Sequence, residues 1–306
     1  MRKVTKAVIP AAGLGTRVLP ATKAQPKEML VIVDKPSLQY IVEELVQSGI
    51  EDIVIITGRN KNSIEDHFDY SFELEETLQK KGKEELLEKV THLSSMANIF
   101  YVRQNHPLGL GHAILKAKPF IGDEPFVIAL GDDIVYNDKT ATKQLIETYE
   151  KYGGSVLGCQ EVPEEDVSKY GIVKPTKELD ERTVEIEDFI EKPSKEEAPS
   201  RLACLGRYLL SGKIFEYLEK TEAGKGGEIQ LTDGILKMMK DGEKVIAHNF
   251  MGKRYDIGNK IGLLKANIEF GLRNEETRED LINYLKNELE ITVSYTHLTL
   301  PTTSRV

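Results

Sequence analysis

The sequence predicts an α/β protein built on a doubly wound, mostly parallel sheet. Short, continuous apolar runs recur along the first half of the chain, and such runs are typical of parallel strands buried on both faces. Amphipathic helical patterns lie between these runs, and this alternation implies right-handed crossovers. The four strand candidates of this half are Ala7–Ile9, Ile53–Thr57, Ile99–Val102 and Phe126–Leu130.

The helical patterns of the first half follow the spacing of their apolar residues. One apolar face runs from Leu38 to Val46 and stops at Gly49, with Ser37 as the predicted N-cap. A second, shorter pattern spans 113–117. The charged segment Glu73–Val90 is also helical in pattern, and we predict a helical insertion that packs on the side of the domain.

The sequence pattern of the second half of the chain, from about residue 151, predicts further strands that extend the sheet and cover a pocket. Strand candidates there alternate with turns rich in proline, glycine and charge, and helical patterns return later. The strand candidates are Ser155–Gln160, Gly171–Lys174, Val184–Ile190, Leu205–Leu210 and Val245–Phe250. The helical candidates are Ile214–Leu218, Ile229–Met239, Ile261–Leu272 and Arg278–Leu289.

Two boundaries complete the predicted organisation. We predict that residues 1–290 form a single domain with two halves, over about 1–150 and about 151–290. Residues 291–306 hold five threonines and no acidic residue after a strongly acidic helix. We therefore predict that this stretch is a loose or appended tail without functional weight.

Composition narrows the class of protein. The 306 residues are 40% hydrophobic, which supports a sizeable core, and the net charge of −9 disfavours a generic nucleic-acid surface. Cys159 and Cys204 are far apart in sequence, and we expect both to be buried in a reducing cytoplasm. No apolar run approaches the roughly 18 residues of a membrane span. Met1–Val4 leads directly into the first strand, so we expect no signal peptide.

The loop from Ala11 to Pro36 is the strongest functional signal. It is long and aperiodic, and it starts at the C-terminal end of a strand, where open α/β sheets bind ligands. Gly13 and Gly15 would let backbone N–H groups approach an anion, while Arg17 and Lys27 add positive charge. The spacing fits neither a P-loop nor a dinucleotide fingerprint. An ordinary glycine turn with surface cations is the alternative, but the clustering favours a nucleoside triphosphate.

Carboxylates follow another strand at the same sheet edge. Asp132 and Asp133 come after a buried strand and Gly131. Mg²⁺ typically takes one or two protein carboxylates and leaves room for phosphate oxygens and water, so we predict Asp132 as a metal ligand. Asp256 follows the strand Val245–Phe250 and is the second candidate. The alternatives are a turn cap for the first pair and a helix N-cap for Asp256.

Glu191, Lys192 and Pro193 form a weaker signal. The carboxylate could accept hydrogen bonds from sugar hydroxyls while the lysine neutralises a phosphate, and the proline ends the strand. An exposed acid–base pair is the alternative.

The segment after the third strand is the last candidate. Gln104 carries both donors and an acceptor, which suits the polar edge of a base. Gly109 and Gly111 would allow a flat ring close to the backbone. A strand-to-helix turn is the alternative, and His112 is expected to be a satisfied polar residue.

Taken together, these elements resemble the bacterial UTP–glucose-1-phosphate uridylyltransferases, members of the sugar-nucleotide pyrophosphorylase group. The likeness covers roughly residues 4 to 272 and is specific in the order and spacing of its motifs. The motifs are Gly13-Leu-Gly-Thr-Arg17 with Ala21-Thr-Lys-Ala24 and Pro26-Lys-Glu-Met-Leu30, then Val33-Asp-Lys-Pro36, Gly109-Leu-Gly-His112, Glu191-Lys-Pro193 and Gly227-Glu-Ile-Gln-Leu-Thr-Asp233. The fold implied is a Rossmann-like nucleotidyltransferase sheet with added sugar-side strands and C-terminal helices.

The resemblance also implies a site, residue by residue. The nucleotide would be bound by Ala12, Gly13, Gly15, Thr16, Arg17, Lys27, Glu28, Gln104 and Gly109. The sugar phosphate would be bound by Gly171, Glu191, Lys192, Gly206 and Glu228. Arg17, Lys27 and Lys192 would be catalytic, and Asp132 and Asp256 would hold Mg²⁺.

The implied reaction joins UTP and glucose 1-phosphate into UDP-glucose and pyrophosphate, in a cytoplasmic homo-oligomer, a dimer or a tetramer. Thymidylyl transfer is the nearest alternative. A dinucleotide-dependent oxidoreductase is disfavoured because the glycine spacing is wrong and Ile53–Thr57 runs into Gly58 and Arg59 without an acid. A non-catalytic sensor is disfavoured because the candidate metal acids and lysines are all present.

Overall fold

A nine-stranded mixed sheet forms the centre of the computed structural model, which describes residues 1–299 except for the side chains of Lys225 and of residues 289–299. The strands are β1 (Lys6–Pro10), β2 (Val31–Ile32), β3 (Lys35–Pro36), β4 (Asp52–Thr57), β5 (Asn98–Arg103), β6 (Phe126–Ala129), β7 (Asp133–Tyr136), β8 (Ser155–Glu161), β9 (Gly171–Asp180), β10 (Thr183–Glu191), β11 (Leu202–Leu210), β12 (Val245–Asn249) and β13 (Lys253–Asp256). The predicted doubly wound α/β class is confirmed.

Helices connect these strands and cover both faces of the large sheet. They are α1 (Ser37–Gln47), α2 (Asn62–Phe68), α3 (Phe72–Lys80), α4 (Glu84–Ser95), α5 (Leu110–Leu115), α6 (Lys118–Ile121), α7 (Ala141–Tyr152), α8 (Ile214–Glu219), α9 (Leu231–Lys240), α10 (Lys260–Arg273) and α11 (Arg278–Thr299). None of them, within the part of the chain that the structure describes, combines the length and apolar character needed to cross a bilayer.

The strand order explains where a site can form. The large sheet runs β5-β4-β1-β6-β11-β8-β12-β10-β9. Strand β1 pairs in parallel with β4 and with β6, so that Ala7 lies between Ile53 and Val127. The C-terminal ends of β1 and β6 therefore lie side by side. From β11 onward most pairings are antiparallel, which gives the added strands of the second half a different course.

Two hydrophobic clusters lie on opposite faces of the sheet. Along β1, Ala7 and Ile9 belong to one cluster and Val8 belongs to the other, because successive side chains of a strand point to opposite faces. Helices α1 and α7 contribute to the first cluster, and α5, α8 and α9 contribute to the second. Burial on both faces accounts for the continuous apolar runs of the sequence.

Three details differ from the sequence predictions. The prediction that Ser37 is an N-cap is wrong: it is the first residue of α1, and its hydroxyl donates to the Glu28 carbonyl oxygen at 2.9 Å. The predicted insertion is two helices, α3 and α4, separated by Gly82 at a φ of +65°. The last helix continues to Thr299, beyond the predicted end at Leu289. Of the predicted tail, residues 300–306 lie outside the described residues.

A buried ion pair joins the layers behind the site edge. Arg207 on β11 is fully buried, and its Nε and Nη2 donate to the two carboxylate oxygens of Glu44 on α1, at 3.0 and 2.7 Å. The same carboxylate accepts bonds from the backbone and hydroxyl of Thr142 on α7. Burial opposes ionisation of Glu44, but Arg207 outweighs it and holds the pKa of Glu44 below its usual value.

We expect Arg207→Met to lower the free energy of unfolding by about 3–5 kcal/mol, because it leaves the Glu44 carboxylate buried without its partner. Urea denaturation measures the change. Lys3→Met is the matched control, since it breaks an exposed pair with Glu51 that contributes little. A loss in Arg207→Met as small as that of the control would contradict the structural role of the pair.

Candidate active site

Two neighbouring cavities open at the edge where β1 and β6 end. The first, here called the loop cavity, measures about 500 Å³. Among the predicted site residues, those that line it are Ala12, Gly13, Gly15, Thr16, Lys27, Glu28, Gln104, Gly109, Asp132 and Glu228. The second, here called the cationic cavity, measures about 770 Å³ and is lined by Arg17, Lys192 and Asp256 among the predicted residues. The structure thus brings together residues that are far apart in sequence.

The glycine loop folds back on its own second half. Gly15 has a φ of +66°, and a Cβ at this position would lie only 3.2 Å from side-chain atoms of Thr22 and Lys27. The Thr22 hydroxyl donates to the Gly15 carbonyl oxygen at 2.7 Å. Glycine is therefore required here both by the backbone conformation and by the close approach of Lys27. The loop holds Lys27 against its glycines at the wall of the loop cavity.

Lys27 and Asp132 form an ion pair inside the loop cavity. The lysine Nζ lies 2.5 Å from Asp132 Oδ2. Burial opposes the charge on each group, but the attraction between them outweighs it. The pKa of Lys27 consequently lies above its usual value, helped by Glu28, and the pKa of Asp132 lies below its usual value. Both groups are charged at neutral pH and line the loop cavity.

A second ion pair lies directly after Lys27 in the chain, between Glu28 and Lys61. Glu28 is fully buried, and its Oε2 accepts a bond from Lys61 Nζ at 2.7 Å. Its other oxygen, Oε1, has no hydrogen-bond partner. Burial raises the pKa of Glu28 despite the nearby lysines. The sequence offered no signal for Lys61, because its partner lies 33 residues away along the chain.

Asp132 and Asp256 converge at Gly258. A Cβ built on that glycine would lie 2.7 Å from Asp132 Oδ2 and 3.1 Å from Asp256 Oδ1. The convergence comes from the small sheet of β7 and β13, in which Asp133 is opposite Asp256. The Ile257 N–H donates to the Asp132 carbonyl oxygen at 3.0 Å and closes this corner.

The carboxylate pair fits Mg²⁺. Two carboxylates that share one small space match the ligand set of this ion, which keeps its remaining positions for water and phosphate. No cluster of three or more metal-binding side chains occurs among the described residues. The alternative role for Asp256 as an N-cap is wrong, since Asn259 caps α10 by accepting a bond from the Gly262 N–H.

The predicted base-binding residues Gln104 and Gly109 line the loop cavity. Gln104 is buried, and its Nε2 donates to the Gly109 carbonyl oxygen at 3.2 Å and lies 2.8 Å from His112 Nδ1. The Ile229 N–H donates to the Leu108 carbonyl oxygen, and the Gly111 N–H donates to the Ile229 carbonyl oxygen, both at 2.8 Å. A Cβ at position 109 would therefore collide with this neighbouring segment, so the close approach that glycine permits is to protein backbone.

The predicted sugar residues lie around β9, β10 and β11. Glu191 is opposite Gly171, and its Oε2 accepts a bond from the Thr232 hydroxyl at 2.7 Å. Lys192 has a φ of +48°, and its Nζ lies 3.0 Å from Glu191 Oε1. Gly206 has a φ of +66°, and a Cβ there would collide with the Asp133 side chain. Glu228, which we predicted on the sugar side, lines the loop cavity.

Sequence reasoning missed Arg254. Its Nε donates to Asp133 Oδ1, and both side chains are largely buried. Alternation along a strand was an available signal, because positions 254 and 256 of a strand share a face. The strand itself was not predicted, since β13 has only four residues.

Comparison with known proteins identifies the family of the chain. A family model described as "Nucleotidyl transferase" matches residues 6–271. The UTP–glucose-1-phosphate uridylyltransferase of Bacillus subtilis (strain 168) is 54% identical over 289 residues, which cover 94% of this chain and 98% of that protein.

Solved structures agree as well. UTP-bound UGPase from Acinetobacter baumannii is 39% identical with a TM-score of 0.85, covering 92% of this chain and 98% of that chain. A UDP-glucose pyrophosphorylase complexed with UDP-glucose is 44% identical with a TM-score of 0.81, covering 89% and 100%.

The lowered pKa of Asp132 gives a pH dependence to stability. Ionised Asp132 stabilises the fold above the ordinary carboxyl pKa near 4, and this contribution is lost as pH falls through the lower folded-state pKa. We expect Asp132→Asn to be less stable than the parent protein at pH 7 and the difference to shrink toward pH 3, measured by urea denaturation. Lys27→Met should follow the same trend. A difference that does not change with pH would contradict the ion pair.

Proposed function

The chain belongs to the nucleotidyl transferase family and, within it, to the bacterial UTP–glucose-1-phosphate uridylyltransferases, and on this premise we propose that it transfers UMP from UTP to glucose 1-phosphate. The products are UDP-glucose and pyrophosphate. The observation that carries the proposal is the meeting of the loop cavity and the cationic cavity at Asp132 and Asp256. One cavity suits a nucleotide, the other suits a sugar phosphate, and the carboxylates lie at their junction.

The loop cavity is the proposed UTP site. Its glycine loop offers backbone donors to phosphate oxygens, and Lys27 lies at the same wall. Gln104 lines the same cavity, and its amide donors and acceptor suit the polar edge of uracil. The similar UGPase from Acinetobacter baumannii is UTP-bound, which supports UTP as a ligand of this protein.

The cationic cavity is the proposed glucose 1-phosphate site. Lys192 lines the cavity and supplies a positive charge for the phosphate. Glu191 does not line it but pairs with Lys192, and it supplies acceptors for sugar hydroxyls. Gly171 lies opposite Glu191 on the neighbouring strand, and a Cβ there would collide with the Phe189 ring and lie 3.2 Å from Glu191 Oε2, so glycine is needed for this close packing. Arg17, expected among the UTP phosphates, lines this cavity, so it lies where it can reach groups on both sides of the junction.

The proposed chemistry is a direct in-line displacement. An oxygen of the glucose 1-phosphate phosphate forms a bond to the α-phosphorus of UTP, and the bond from that phosphorus to the β-phosphate oxygen breaks. The attacking oxygen is already anionic near neutral pH, so no general base is required. The obstacle is repulsion between two polyanions, and Lys27, Lys192 and Arg17 offset it by positioning and by charge. Mg²⁺, when held by Asp132 and Asp256, supplies further positive charge for phosphate oxygens.

The proposal extends to the organisation of the protein. We assign the nucleotide half to about 1–150 and the sugar half to about 151–290, since Lys27 and Asp132 lie in the first and Lys192 and Asp256 in the second. A cytoplasmic location and a dimer or tetramer belong to the proposal through the sequence resemblance.

Pyrophosphate release with parallel substrates tests the function. We expect turnover with UTP and glucose 1-phosphate in the presence of Mg²⁺, and much slower turnover with dTTP. Faster turnover with dTTP would favour the thymidylyl alternative, and no release with any nucleotide would contradict the proposal. Tightly bound NAD(H) in the purified protein would instead favour an oxidoreductase.

Lys27→Ala and Asp132→Asn test the assigned roles. We expect each to lower kcat at least about 100-fold, because each removes a charge that acts on the reacting phosphates. Lys23→Ala is the matched control, since it removes an exposed lysine from the same loop. Steady-state kinetics on folded variants measures the effect. Turnover at the rate of the parent protein in either site variant would refute its role.

A further inference from the structure

Arg254 holds a fixed position in the wall of the cationic cavity. Its side chain is only 13% exposed, its Nε donates to Asp133 Oδ1, and its Nη1 donates to the Tyr170 hydroxyl at 3.1 Å. The guanidinium also stacks over the Tyr170 ring, 4.9 Å from the centroid. Among the residues whose side chains are described, none accepts a hydrogen bond from Nη2.

This arrangement differs from that of the other cations in the cavity. Lys192 and Lys169 are about half exposed, and each pairs with a carboxylate beside it in sequence or one turn away. A flexible lysine loses side-chain entropy when it binds a ligand, whereas a guanidinium already fixed by an acid and a tyrosine loses little. Arg254 is therefore a preorganised donor that faces a cavity able to hold an anion.

A phosphate monoester is the ligand that fits this donor best. Nη2 has two N–H groups for phosphate oxygens, and a phosphate accepts charge-assisted hydrogen bonds from a guanidinium. Lys192 lines the same cavity with a second positive charge. Asp256, two residues along the same strand, lies at the junction with the loop cavity, so a phosphate held by Arg254 would lie next to the reacting centre.

We propose that Arg254 binds the phosphate group of the acceptor and sets its position relative to Asp132 and Asp256. This inference rests on the proposed function, because that function identifies the acceptor as a sugar phosphate. The contact of Arg254 with Asp133 contributes to the positioning. Through it, the guanidinium connects the residue after Asp132 to β13, the strand that carries Asp256.

Arg254→Gln tests the binding role. We expect the KM for glucose 1-phosphate to rise about 10- to 100-fold, since a charge-assisted hydrogen bond is lost, while the KM for UTP changes less than about twofold. Lys169→Gln is the matched control, because it removes one positive charge from the same cavity at a side chain already paired with Asp166. We expect both KM values of the control to stay within about threefold. An equal rise in Arg254→Gln and the control would overturn the proposal.

Two further variants separate binding from folding. Arg254→Lys keeps a charge near Asp133, and the double variant Asp133→Asn with Arg254→Gln leaves no buried carboxylate unpaired. Both should show the raised KM for glucose 1-phosphate while their thermal unfolding stays close to that of the parent protein. A fall in stability with unchanged KM would show that Arg254 is structural only.

Calorimetry makes the test independent of turnover. We expect Arg254→Gln to weaken the affinity for UDP-glucose at least about tenfold. The affinity for UMP, which lacks the acceptor phosphate, should change by less than about twofold. Equal weakening of both ligands would contradict the proposal. If the parent protein releases no pyrophosphate, the proposed function fails by itself, and the ratio of the two affinities still decides the role of Arg254.

Discussion

The buried pair of Glu44 and Arg207 is the interaction on which the position of the site depends. It joins α1, the start of α7 and β11, and Arg207 Nη2 also donates to the Asp133 carbonyl oxygen at 2.8 Å. That bond fixes the chain directly after Asp132. Two charges taken out of water stabilise a fold only when they are paired and their remaining hydrogen bonds are made. The requirement is met here, and it leaves little freedom for the segment that carries Asp132, the proposed metal ligand.

Pairing of opposite charges also organises the surroundings of the site. The chain carries a net charge of −9, yet its proposed substrates are polyanions. Lysines and arginines are therefore concentrated at one sheet edge, and most of them pair with acids, as Lys27 does with Asp132 and Lys192 does with Glu191. The Lys192–Glu191 pair is partly exposed and individually weak, so a ligand phosphate can replace the protein carboxylate without a large penalty. Arg254 is different, because its acid partner is buried and stays in place.

Sequence alone predicted the elements with strong local signals. Apolar runs gave the central strands because both faces of the sheet are covered, and the glycine loop with Lys27 was recognised from its composition. The junction of Asp132 and Asp256 could not be derived from spacing, because it depends on pairing between two four-residue strands, β7 and β13. Ser37 was mistaken for a cap because its hydroxyl bonds to a distant carbonyl. Lys61 and Arg254 were missed because tertiary contacts alone define their partners.

In the proposed reaction, an acceptor phosphate in the cationic cavity attacks the α-phosphorus of UTP directly, with no intermediate attached to the protein. The stereochemistry at that phosphorus tests it most directly. With UTP made chiral by sulfur at the α-phosphate, one displacement gives UDP-glucose of inverted configuration, and this is the result expected. Retention of configuration would require two displacements through a nucleotidyl-enzyme and would contradict the account.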